Sequence, residues 1–233
     1  MDPSKESLAN IFGEKNKMKI AKGSKWWILI PFFTAVILLV FYIIFTKEVF
    51  SVIILFFSVL VFLKSGFFLL FFRDPDRKVG HGIVSVADGK IREIKKTSDE
   101  DVGDCTVIST FMNIYNVHVN RMPIDGTVND VVHISGSHIP AFKKESERNE
   151  RVILKLETAI GMVKVIQIAG TLARRIVPYV QKGDKLKKGD RIGIIRLGSR
   201  LDIYLPSKKV KHLTVKTNDR IKAGESTIAE IND

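Results

Sequence analysis

At 233 residues the chain is long enough for one domain of ordinary size with length to spare. A formal net charge of +12 directs attention to anionic partners, either nucleic acid or a membrane surface. Its single cysteine, Cys105, excludes an intrachain disulfide and a cysteine-based zinc site, and the Val/Ile/Thr-rich run around it favours a buried structural thiol over a nucleophile.

Residues 1–25 are polar and basic, with Lys5, Lys15, Lys17, Lys19, Lys22 and Lys25. By itself such a stretch is a solvated tail; ahead of a membrane span it is also an electrostatic anchor. Trp26 to Thr46 is almost wholly apolar and long enough to cross a bilayer as a helix. It lacks the short apolar core and small-residue cleavage site of a signal peptide. Lys47-Glu48 interrupts the run, and Val49 to Phe72 continues it, with Lys64 placed to snorkel toward headgroups. Trp26 and Trp27 stand where an interfacial aromatic belt would lie. Residues 26–72 therefore read as a two-helix hydrophobic hairpin, spanning or partly inserted. Lysines before it, and Arg73, Arg77 and Lys78 after it, outweigh the lone Lys47 in the turn, so both ends should face the cytoplasm. Much of the basic balance then has a membrane explanation. No basic stretch interleaved with stacking aromatics supports nucleic acid as a partner.

From Arg73 onward, over 73–233, short β-type runs alternate with Gly, Asp, Asn and Pro. Gly82 to Ile91, Cys105 to Thr110, Val152 to Leu156 and Met162 to Ala169 read as β-type runs, and Asp88-Gly89 and Asp125-Gly126 as turns. Glu145 to Arg151 reads as a charged loop with a helical turn. A weak repeat relates Val180–Ile192 to Val215–Ile228, each copy pairing a Gly/Asn-Asp turn with a Gly-acid turn. Such halves are similar to those of the flattened barrels of biotinyl and lipoyl carrier domains, although the comparable hairpin tip holds Gly198-Ser199 and not the carriers' lysine. The expected fold is a transmembrane α-helical hairpin followed by a mainly-β domain, a sandwich or flattened barrel with lipoyl-like halves.

Ile192 to Pro206 reads as two short strands joined at Leu197-Gly198-Ser199. A plain hairpin turn explains the spacing. So does a bond the protein breaks itself, since a Gly carbonyl followed by a Ser hydroxyl suits an internal acyl shift. Five histidines, His81, His118, His133, His138 and His212, show no metal-ligand spacing, and no metal is expected. His118, between Val117 and Val119, reads on its own as a structural histidine ahead of a catalytic base. Asp88 within Ala87-Asp88-Gly89 reads as a turn residue. Phe111, Met112 and Phe142 are candidates for an apolar contact with the bilayer.

Taken together the pieces resemble the phosphatidylserine decarboxylase family in its short form, archaetidylserine decarboxylases included. The resemblance is carried by Phe72-Arg73-Asp74-Pro75, Ala87-Asp88-Gly89, Asn116-Val117-His118-Val119-Asn120-Arg121, Asn149-Glu150-Arg151, Gln167-Ile168-Ala169-Gly170, Ala173-Arg174-Arg175 and Leu197-Gly198-Ser199-Arg200, in that order. It implies a zymogen that cuts itself between Gly198 and Ser199, Ser199 becoming a pyruvoyl group that binds the substrate amine as a Schiff base. It implies decarboxylation of a serine phospholipid to the ethanolamine phospholipid at the cytoplasmic face of the cell membrane. By position, His118 matches the family's base and Asp88 the acid that orients it, with His118 also reprotonating the product. Arg121, Arg174, Arg175 and Arg200 are candidates for the substrate's phosphate or carboxylate. The two fragments should stay associated, and a homo-oligomer is left open. The chain departs from long members, which carry two histidines in the block around His118 and a threonine at position 200. A competing class is a non-enzymatic, membrane-anchored lipoyl-like adaptor, which would need neither cleavage nor His118.

Overall fold

The structure is a computed structural model that describes residues 18–45, 49–137, 148–170, 175–196 and 199–232. Its apolar stretches form two helices, Lys25–Ile44 and Val49–Phe71, both long and apolar enough to cross a membrane. Almost nothing of either is buried within the protein, and their outward faces expose Trp26, Ile30, Phe33, Phe50, Leu63 and other large apolar side chains. A helix apolar all round and unburied needs lipid, not water, about it. The helices meet along Ser51, Ser58 and Ser65, spaced by seven and all buried. Ser58 Oγ donates to the Ala35 carbonyl (2.8 Å) and Ser65 Oγ to that of Ile28 (2.9 Å). Small hydroxyl residues allow close approach and supply the interhelical hydrogen bonds that apolar side chains cannot.

The basic tail is not solvated to its end. Strand β1 (Met18–Ile20) pairs antiparallel with β2 (Arg73–Pro75), and Ala21 N donates to Phe72 O (2.8 Å). A two-stranded ribbon thus clasps the base of the helical hairpin. Residues 1–17, including Lys5, Lys15 and Lys17, lie outside the described residues, as do Lys47 and Glu48.

Beyond the ribbon follow β3 (Ile83–Val84), β4 (Gly89–Asp99), β5 (Gly103–Met112), β6 (Val119–Arg121), β7 (Gly126–Ile134), β8 (Arg151–Thr158), β9 (Gly161–Ala169), β10 (Arg175–Pro178), β11 (Lys185–Leu186), β12 (Arg191–Arg196), β13 (Ser199–Pro206), β14 (Val210–Leu213), β15 (Arg220–Ile221) and β16 (Thr227–Ile231). An eight-stranded antiparallel sheet runs β11-β7-β8-β9-β13-β5-β4-β15, and two three-stranded sheets run β10-β12-β6 and β14-β16-β3. Alternate residues of the large sheet fill the main core. On β13 these are Leu201, Ile203 and Leu205, joined by Ile108, Leu154, Val165 and, from the small sheets, Ile195 and Ile228. A second cluster, Phe68, Phe71, Phe72, Val117, Val119 and Ile194, packs the end of the second helix directly onto the β domain.

The weak repeat is a repeat of structure. Asp184, Asp190 and Asp219 each accept from the backbone N–H three residues upstream, at 2.8–2.9 Å. Gly183, Gly189, Gly224 and Asn218 hold the left-handed φ these turns require (91°, 88°, 74° and 79°). The following strands, β11 and β15, cap opposite edges of the large sheet and pair with the residues after Asp125 and Asp88.

Two expectations fail. Ile192 to Pro206 is no hairpin: β12 and β13 do not pair but belong to different sheets, so the chain changes sheet between Arg196 and Ser199. Local strand propensity cannot distinguish a hairpin from a crossover, because both need two strands and a bend. Met112 does not reach toward a bilayer; it is fully buried against β13. Phe142, His138 and residues 145–147 lie outside the described residues.

Candidate active site

Ser199 opens β13, the strand that lies between β9 and β5. It stands opposite Ala169 on one side and Met112 on the other, so all three share the inner face of the sheet. It is fully buried, and among the described residues its Oγ has no hydrogen-bond partner. Gly198 and Leu197 lie outside the described residues.

His118 directly precedes β6. Its carbonyl accepts from Ile195 N (3.3 Å) on β12, four residues before Ser199. The ring is fully buried, with Phe71 of the second helix packed over it at 4.1 Å between centroids. Nδ1 lies 2.9 Å from the Asn116 carbonyl oxygen. A carbonyl only accepts, so Nδ1 carries the hydrogen and Nε2 the free lone pair. Burial holds the imidazole neutral: its pKa falls to about 4, despite the opposing pull of the Asn116 carbonyl and the charge of Asp88, with Arg73 adding to the fall. Nε2 is buried and unpartnered. Among the described residues the β domain therefore holds a buried hydroxyl without an acceptor and a buried free base without a donor. Leaving a buried polar atom unsatisfied costs about 1–3 kcal/mol, and such costs persist where chemistry uses the groups.

Two further buried side chains tie these elements together. Gln167, on the inner face of β9 with Ala169, donates through Nε2 to Asn120 Oδ1 (2.7 Å). Asn120, two residues beyond His118, directs its amide at Met112 Sδ (3.7 Å). Gln167 Oε1 is itself buried and unpartnered. Asn149 Nδ2 donates to the Ala169 carbonyl (2.7 Å), which secures the end of β9 beside Ser199.

Asp88 does not hydrogen-bond to His118. Its Oδ1 accepts from Ala223 N (2.8 Å), and its carboxylate takes both ends of the Arg77 guanidinium at 2.5 and 2.8 Å. In the other half of the repeat, Asp125 Oδ1 accepts from Lys188 N (2.6 Å) in the same way. Asp88 thus does the turn's structural work, and it acts on His118 through its field; the Asn116 carbonyl holds the ring. The sequence could not show this, because a backbone carbonyl leaves no residue signature.

The four arginine candidates part company. Arg121 is buried and committed to Asp74 (3.0 Å), the Gly189 carbonyl (3.0 Å) and the Pro75 carbonyl (2.9 Å), where it locks β6 to the ribbon below the membrane. Arg191 joins Asp74 and Asp76 to the same network. Arg200 is one residue out of phase with Ser199, so it lies on the opposite face of the sheet, paired with Asp202 (2.8 Å). Arg174 lies outside the described residues. Arg175 is exposed at the start of β10. Among the described residues, no three His, Cys, Asp or Glu side chains gather as a metal-binding set.

A family model described as phosphatidylserine decarboxylase matches residues 65–229. A phosphatidylserine decarboxylase proenzyme of Streptomyces avermitilis is 53% identical over 59% of this chain and 63% of its own length. A Methanosarcina barkeri chain, provisionally named an archaetidylserine decarboxylase proenzyme, is 38% identical over 91% of this chain and 98% of its own. A like-named Methanococcoides burtonii chain is 43% identical over 70% and 75%. This chain spans less than two thirds of the Streptomyces relatives it matches.

Proposed function

We propose that this chain, which belongs to the phosphatidylserine decarboxylase family, is a membrane-anchored proenzyme that cuts itself at Gly198-Ser199 and then decarboxylates a serine phospholipid. The observation that carries the reading is the pair of complementary orphans, the Ser199 hydroxyl and the Nε2 lone pair of His118, both buried where the chain changes sheet.

In self-cleavage His118 Nε2 takes the Ser199 proton, and Oγ attacks the Gly198 carbonyl carbon. The peptide C–N bond breaks, leaving an ester and a free Ser199 amine. Loss of the Ser199 α-proton and of the Gly198 carboxylate leaves dehydroalanine, and water then removes ammonia. The residues fit the pyruvoyl group that results: position 199 is buried and flanked in the sheet by Met112 and Ala169. That group supplies an electron sink for departure of the substrate carboxyl as CO2. His118 Nε2, neutral at rest, takes up a proton released by the substrate ammonium and returns it to the carbon that the carboxyl leaves. Asp88 is a positioning residue: it fixes the Ala223 turn, pairs Arg77, and raises the basicity of His118 through space.

The lipid class follows from the relatives' names, with ester- or ether-linked chains equally compatible. The ribbon of β1 and β2 joins both helix ends to the β domain, and the flanking lysines and arginines support a cytoplasmic placement for it. After cleavage the short fragment from Ser199 still supplies β13, with ladders on both flanks, and buries Leu201, Ile203, Leu205 and Ile228. At about 1.5–3 kcal/mol for each buried side chain, the fragments stay together. The adaptor alternative gives no reason to retain two orphaned polar groups and draws no support from the comparisons.

The test is intact mass of the protein in detergent beside Ser199→Ala. The expected result is two fragments, the shorter beginning at position 199 with a blocked N-terminus, together with CO2 release from a serine phospholipid. A single full-length wild-type chain would remove the pyruvoyl mechanism.

A further inference from the structure

Four other arginines of the β domain have acidic partners. Arg77 pairs with Asp88, Arg121 with Asp74, Arg191 with Asp74 and Asp76, and Arg200 with Asp202. Arg196 does not. Its Nε is buried without a hydrogen-bond partner, and among the described residues no carboxylate approaches its guanidinium. It instead lies over the Trp27 ring, 5.3 Å from the centroid. Directly opposite, in the β10–β12 ladder, stands Arg175, also without an acidic partner among the described residues. Like charges facing each other across strands destabilise a sheet unless something neutralises them. Burial and the Arg175 charge both weaken the hold of Arg196 on its proton, so a bound anion would relieve the pair.

Trp27 connects this charge to lipid. With Trp26, Ile30, Pro31 and Phe68 it lines a groove of about 310 Å³ between the helices, and Lys64 stands on the rim, 5.8 Å from the Phe68 ring. The groove is apolar along the helices and cationic where they meet the β domain. Arg196 is also only three residues before Ser199.

We propose that Arg196 and Arg175 bind the phosphate of an anionic glycerophospholipid whose acyl chain lies in the groove of Trp26, Trp27, Ile30 and Phe68. Charge complementarity selects the occupant: two unpaired guanidiniums suit a phosphodiester, which accepts bidentate hydrogen bonds, and the apolar walls suit its chain. If the chain is the decarboxylase proposed above, the bound lipid is its substrate, and Arg196 sets the headgroup's distance from position 199.

Trp27 reports on the site. The uncut Ser199→Ala chain, carrying Trp26→Phe, is placed in phosphatidylcholine nanodiscs with increasing phosphatidylserine, and its fluorescence is followed. A saturable change is expected, absent with diacylglycerol or inorganic phosphate, and weakened at least about tenfold by Arg196→Gln, with partial rescue by Arg196→Lys. In the processed enzyme Arg196→Gln should raise KM by a similar factor and leave kcat within about threefold. An unchanged titration in Arg196→Gln, a response to inorganic phosphate alone, or a fall in kcat at constant KM would overturn the proposal. If the wild type never releases CO2 from serine lipids, the decarboxylase reading fails, while the fluorescence titration still decides the anion site.

Discussion

Uncovering His118 should move the pH at which the chain can cut itself. Phe71 lies face-near over the imidazole, 4.1 Å between centroids, and it seals the ring from water at the end of the second helix. Burial lowers the pKa from 6.5 to about 4. At about 1.4 kcal/mol per unit, that difference is worth about 3 kcal/mol in favour of the neutral ring. Self-cleavage needs that neutral ring, so wild-type chain synthesised into nanodiscs should process at a constant rate down to about pH 5 and slow toward pH 4. Phe71→Ala admits water and should carry the acid limb up toward pH 6, whereas Phe71→Leu, which keeps the site dry, should leave it near the wild-type position. Fragment appearance on denaturing gels across the pH series gives the rates. A wild-type acid limb at 6.5, or identical limbs in wild type and Phe71→Ala, would refute the claim that burial under Phe71 keeps the base free. The same shift sets a stability term. The unfolded chain binds a proton below pH 6.5 that the folded chain refuses until about pH 4, so stability is full above pH 6.5 and falls across that window.

Asp88→Ala should destabilise the protein by about 3–5 kcal/mol, since it strands the buried Arg77 guanidinium, and joint replacement of Arg77 and Asp88 by Met and Leu should recover most of that loss in thermal melts. A variant Asp88→Ala with unchanged melting but no cleavage would instead give Asp88 a direct chemical role. The two cleavage fragments should elute together in detergent and separate only in denaturant, because β13 is hydrogen-bonded on both sides; free release of the short fragment would contradict the sheet order. Cys105, buried on β5 with its thiol pKa raised chiefly by burial, should resist alkylation in the native protein and react on unfolding, which mass spectrometry would show.

Much of this protein is written in its local chemistry. The two helices are legible because a run of some twenty apolar residues has one stable fate in lipid. The β-rich character follows from the short Val/Ile runs punctuated by Asp-Gly, and the repeat from Gly/Asn-Asp pairs whose left-handed turns recur at Gly183, Gly189, Asn218 and Gly224. The serine seam at 51, 58 and 65 was also there to be read, as a seven-residue spacing on an apolar helix. Ser199 and His118 stood out through the order of motifs that resemble one family.

Which groups face one another is set by the fold. Strand propensity could not reveal that β12 and β13 belong to different sheets, because pairing partners lie far away in sequence. Composition could not separate Arg121, spent on Asp74, from Arg196, left over Trp27, because a guanidinium's role depends on the acceptors that distant strands bring to it. Nor could it show that Asn116, and not Asp88, holds the His118 ring, since that contact is made by backbone. Residue types and spacings fix what chemistry is available; the fold fixes the distances and the dryness that determine which of it can occur.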